Sequence, residues 1–122
     1  MKKLIRNTSI LGMANIDSKG TGLPVDIWSD HSGIKRSVSH RNTPRMKVGK
    51  PEGPSVSITI TENPEILTTI ARIKKSDMRD IEEGIKYVAR NHDIFLKHYM
   101  DIDNSFRDVD MFDALIQRGE YR

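Results

Sequence analysis

The order of hydrophobic patterns predicts an α+β protein, with a small, mostly antiparallel sheet followed by two or three C-terminal helices packed on one face. Three observations carry this. Apolar residues alternate with polar ones through the first half, then recur at three- and four-residue spacing after about residue 76. Gly- and Pro-rich turns cut the first half into short pieces. Strands come first and helices after, which excludes the βαβ order of a parallel sheet. At 122 residues the chain has the size of one domain, mainly β over 1–75 and mainly helical over 76–122.

Residues 8–13 suit a first strand, and a turn rich in Asp, Ser and Gly follows over 17–22. Pro24 cannot sit in a central ladder. Residues 25–28 alternate like a half-buried strand, with Trp28 expected as a core anchor. In 45–48, Met46 and Val48 share one face and Arg45 and Lys47 the other. Residues 49–54 form a loop around two glycines and two prolines. The clearest strand spans 55–61, with Val56, Ile58 and Ile60 on one side and Ser57, Thr59 and Thr61 on the other. Asn63 and Pro64 end it. Residues 65–73 fit a short helix or a strand. Ser76 or Asp77 is an N-cap, and Met78, Ile81, Ile85, Val88 and Ala89 then make one buried helical stripe. Glu82 and Lys86 are spaced for an ion pair. Residues 91–93 break the helix, with Asp93 able to cap a second one over 94–100. A last amphipathic helix covers 109–118 and stops at Gly119. Helical Met78, Ile81, Ile85, Val88, Phe95 and Leu96 are expected to meet Ile27, Val56, Ile58 and Ile60.

The chain has no cysteine, which excludes disulfides, thiolate metal sites and cysteine nucleophiles. The apolar residues near the start are interrupted by Arg6, Asn7, Thr8 and Ser9, so no signal peptide is predicted, and no run approaches a membrane span. The expected location is cytoplasmic.

Charge divides the chain. Residues 1–50 carry ten Lys and Arg against three acids, while residues 51–122 carry ten against fourteen. Within 35–50, Lys35, Arg36, Arg41, Arg45, Lys47 and Lys50 occur without a single acid, interleaved with His40, Asn42 and hydroxyl side chains. Cations and polar groups in this density are what phosphate contacts use. The segment itself holds no aromatic residue for base stacking. Its competing reading is a solvated strand edge, with the cations blocking edge-to-edge pairing.

The C-terminal acids Asp101, Asp103, Asp108, Asp110 and Asp113 form the opposite pole, an acidic face for a protein partner. Residues 101–105 have the look of a calcium loop, but the positions that need Gly and Glu are Phe106 and Phe112. Among His31, His40, His92 and His98 no pair has metal-ligand spacing, and no metal or cofactor is predicted. Ser39 beside His40 and Asp30 beside His31 supply catalytic residue types without a nucleophile elbow, and Gly20 and Gly22 lack the rest of a phosphate loop. A small hydrolase or nuclease using His40 ranks below a non-enzymatic role.

Residues 39–48, Ser-His-Arg-Asn-Thr-Pro-Arg-Met-Lys-Val, resemble a small bacterial domain family of unknown function with the signature Asp-His-x-Pro-Pro-His-x-His-Val. His40 matches the first histidine, and Pro44 and Val48 match the frame. The later histidines fall on Arg45 and Lys47, so chemistry resting on them does not carry over. The resemblance spans about residues 23–100 and implies a phage or mobile-element setting, of toxin–antitoxin type, without implying a reaction. The expectation is therefore a regulatory or accessory binding protein that contacts nucleic acid or a nucleoprotein through 35–50. The alternative is a phage inhibitor of a bacterial defence system, such as an anti-CRISPR protein, acting by protein–protein binding. The sequence leaves the oligomeric state open.

Overall fold

Four short strands form an antiparallel meander in a computed structural model that describes residues 13–30, 43–101 and 103–122. They are β1 (Met13–Ile16), β2 (Asp26–Asp30), β3 (Arg45–Gly49) and β4 (Ser55–Thr59), in spatial order β1-β2-β3-β4. The period-two pattern gives the sheet two unlike faces. Ala14, Ile16, Ile27, Met46, Val48, Val56 and Ile58 point one way and are buried. Met13, Asn15, Trp28, Lys47 and Ser57 alternate with them and keep contact with solvent. Complete burial of a side chain such as Ile58 stabilises the fold by about 1.5–3 kcal/mol.

The residues between β1 and β2, expected as a turn, close one helical turn, α1 (Ser18–Thr21). The Asp17 carboxylate caps it by accepting from the Gly20 N–H at 3.0 Å. Residues 65–67 are neither a full helix nor a full strand. They lie along the outer side of β4, where Leu67 N–H donates to Ser57 O at 2.7 Å and Thr59 N–H donates to Glu65 O at 3.0 Å. Together with the single bridge between Ile58 and Ile66, this satisfies part of an otherwise open edge. The expected first strand begins in residues that lie outside the described ones, and its described part is β1.

Three helices complete the second layer: α2 (Lys75–Arg90), α3 (His92–Tyr99) and α4 (Asp108–Gln117). The α2 helix starts at Lys75, with Lys74 as its N-cap and no side-chain cap, so Ser76 and Asp77 lie inside it. Its inner face packs on β3 and β4, while α3 crosses β2 and α4 packs on α3. Ile81, Tyr87, Val88 and Phe95 are fully buried, and Met78, Ile85 and Leu96 flank them. Gly84 sets the approach of α2 to the sheet, since a Cβ there would press into the Val48 and Val25 methyls. Lys86 pairs with Glu83 at 3.4 Å, one residue away from the expected Glu82.

Asn91 makes the break between α2 and α3. It is fully buried, and its side-chain Nδ2 donates to Tyr87 O at 3.0 Å. Asp93 does not cap α3; it lies in the first turn and forms a bidentate pair with Arg118, both contacts at 2.8 Å. Gly119 ends α4 with φ 82°. The tail then folds back on the molecule. Tyr87 Oη donates to Glu120 O at 2.9 Å, Arg90 pairs with the Glu120 carboxylate, and Tyr121 covers Gly20 and donates to Asp17 at 3.1 Å. Burial, with Asp17 alongside, pushes the Tyr121 phenol up to about 12. Among the described residues no helix is long and apolar enough to cross a membrane.

Candidate nucleic-acid interface

The helices cover one side of the sheet, and the candidate site lies on the other. Antiparallel pairing places Asn15 opposite Trp28, Trp28 opposite Lys47, and Lys47 opposite Ser57. These four form one row across all four strands on the face opposite α2, α3 and α4. Directly opposed side chains are about 4.5–5.5 Å apart at Cβ, so the indole and the Lys47 chain are neighbours.

This position corrects the expectation that Trp28 anchors the core. Ile27 and Trp28 are adjacent in the strand and must point to opposite faces. Ile27 takes the core, and Trp28 is left half-buried on the outer face. Beside it a cleft of about 290 Å³ is lined by Met13, Trp28, Lys47, Lys50, Pro51, Gly53 and Ser55. That is near the lower end of small-molecule pockets, ~300–1,000 Å³, and suits one flat group rather than an extended ligand.

Of the cationic set, Lys35, Arg36, His40, Arg41 and Asn42 lie outside the described residues. Arg45, Lys47 and Lys50 are described. Arg45 and Lys47 sit two apart on β3 and share the face opposite α2, α3 and α4; Lys47 is exposed. Because β3 is flanked by β2 and β4, they guard no sheet edge, and the edge-blocking explanation of their charge fails. Lys50 follows β3, with its ammonium 2.6 Å from Asp80 at the start of α2. That hydrogen bond, reinforced by the Asp80 and Asp77 charges, raises its pKa. Its charge is thereby partly spoken for, which leaves Arg45 and Lys47 as the cations of this face among the described residues. Asp26 shares this face but is buried and engaged, accepting from Ser18 N–H at 2.8 Å and Asn15 Nδ2 at 3.3 Å.

The acidic set separates on inspection of its partners. Asp101 is buried and accepts from Ser105 N–H at 3.0 Å and Ser105 Oγ at 3.2 Å. Asp103 is exposed and accepts from the same N–H at 3.2 Å. Asp110 closes a capping box by accepting from Arg107 N–H at 2.9 Å. Asp113 is exposed on α4.

Asp108 belongs to an arrangement that sequence reading did not find. It accepts from His98 Nε2 at 2.7 Å, while His98 Nδ1 lies 2.8 Å from Ser29 Oγ. The residue types are those of a hydrolytic triad, but Ser29 and His98 are fully buried. No substrate carbonyl can reach Oγ, so the chain of bonds ties β2 to α3 and α4. The sequence separations, 69 and 10 residues, leave no local signal for it. His92 directs Nδ1 at Ala89 O, 2.7 Å away. His31 and His40 lie outside the described residues, among which no group of three or more His, Asp or Glu is placed to hold a metal ion.

No protein-family model, curated protein or solved structure matches the chain, so the site stands on its own geometry.

Proposed function

We propose that the protein is a non-enzymatic accessory or regulatory binding protein that contacts nucleic acid, free or within a nucleoprotein, through the cationic segment 35–50. The supporting observation is the place of Arg45 and Lys47. Both lie on an interior strand, on the face opposite α2, α3 and α4, where they neither protect an edge nor pack against those helices. Cations held there at strand spacing, about 6.8 Å apart, suit successive phosphates of a polyanion. Lys35, Arg36 and Arg41 add charge a few residues before them in sequence. The phage or mobile-element setting is what the likeness of residues 39–48 to the histidine-signature family implies.

A salt series tests this reading. Log affinity for a labelled oligonucleotide falls linearly with log salt, and reversing Arg45 and Lys47 to Glu flattens the slope by about 0.7–1 per lost phosphate contact. Absence of binding at low salt contradicts the proposal.

The protein-inhibitor reading has its own support. On α4, Val109 and Ile116 are each 48% exposed, and Asp113 lies between them at helical spacing. That stripe of apolar and acidic groups suits a protein surface with a cationic rim.

A further inference from the structure

We infer that the sheet face opposite α2, α3 and α4 takes an unpaired nucleic-acid strand, with one base stacked on Trp28 in the cleft beside β3. The inference rests on the phosphate-binding reading above and adds to it the state of the strand and the residue that recognises it. The aromatic group that segment 35–50 lacks is supplied by β2. Strand pairing brings Trp28, the chain's one tryptophan, directly against Lys47. An indole beside the exposed Lys47 joins the two parts of single-strand recognition, a stacking platform and a charge for the adjoining phosphate.

The cleft has the dimensions for one base. Trp28, Met13 and Pro51 give it an apolar lining, Gly53 adds backbone, and Lys47, Lys50 and Ser55 supply polar groups. Asn15 and Ser57 continue the Trp28–Lys47 row to either side and offer hydrogen bonds to a strand lying across the sheet. Met13, Pro51 and Gly53 present little that reads a base edge, so the face accepts any base.

Duplex is disfavoured on two grounds. Its base faces are already stacked on one another and unavailable to an indole. The four strand axes span three gaps of ~4.8 Å, about 14 Å, which exceeds the ~12 Å width of the major groove before side chains are added.

The experiment uses the full chain and a short oligothymidylate. Because the protein has one tryptophan, its fluorescence reports on the proposed site alone. Titration is expected to quench it, while an oligothymidylate–oligoadenylate duplex of equal length is not. With labelled oligothymidylate followed by anisotropy, Trp28→Leu is expected to bind about ten-fold more weakly, the loss of one stacked base. Trp28→Phe keeps a ring and is expected to recover most of that affinity. The side chain lies outside the core, so both variants are expected to keep the parent circular dichroism. If Trp28→Leu binds like the parent while Arg45 and Lys47 reversal abolishes binding, stacking is overturned and the phosphate reading survives. Equal affinity for duplex and single strand overturns the strand preference. No binding by the parent overturns both readings.

Discussion

Single side chains here have roles their neighbours in sequence do not announce. Trp28 and Ser29 are adjacent in β2, yet one belongs to the outer face and the other to a buried hydrogen-bonded chain. Buried polar groups are costly unless bonded. His98 is fully buried and holds Ser29 on one nitrogen and Asp108 on the other. Replacing His98 by Leu strands the Ser29 hydroxyl and frees the Asp108 carboxylate. The expected loss is about 2–4 kcal/mol in urea unfolding; a change under ~0.5 kcal/mol would mean the chain of bonds contributes nothing. The alternation in 25–28 already placed Trp28 on the face of Asp26, opposite Ile27. What obscured this was the general tendency of tryptophan to be buried. Nothing local to His98 signals its partners, because they come from β2 and from α4.

Elements were more legible than their ends. The stripe of Ile81, Ile85 and Val88 identifies α2, but a capping residue type did not fix its start: the helix begins before Ser76, with no side-chain cap. At the break, the Asn91 side-chain amide adds a second hydrogen bond to Tyr87 O, which already accepts the Asn91 backbone N–H. Asp93 then serves the helix junction instead of the cap. The Arg118 guanidinium beside it holds its carboxyl at about 2, below the ordinary 3.8. A carboxyl lowered in the folded state stabilises above the unfolded value, and that contribution is lost as pH falls through the folded one. Stability is therefore expected to drop between about pH 4 and 2, and Asp93→Asn to remove that part of the drop. Since the pair is exposed, its worth is about 0.5–1 kcal/mol after screening by water. Parallel pH–stability curves for the two proteins would contradict the assignment.

The described residues divide into layers about the sheet. One face of the sheet, with α2, α3 and α4, is spent on stability; the other carries Trp28, Arg45 and Lys47. The α+β architecture follows from strand patterns that precede helix patterns, and the four-strand antiparallel sheet bears it out. The cationic segment was visible in composition, but its significance depended on strand order, which sequence does not state. An edge position would have made Arg45 and Lys47 ordinary protection against aggregation, whereas they lie on an interior strand, with the half-buried Trp28 opposite Lys47. The most direct test of that surface is residue-resolved amide shift mapping of labelled protein on addition of oligothymidylate. Shifts are expected at Asn15, the Trp28 indole N–H, Lys47, Gly53 and Ser57, with α2, α3 and α4 unmoved. Shifts gathered instead on Val109, Asp113 and Ile116 of α4, or none at all, would contradict it.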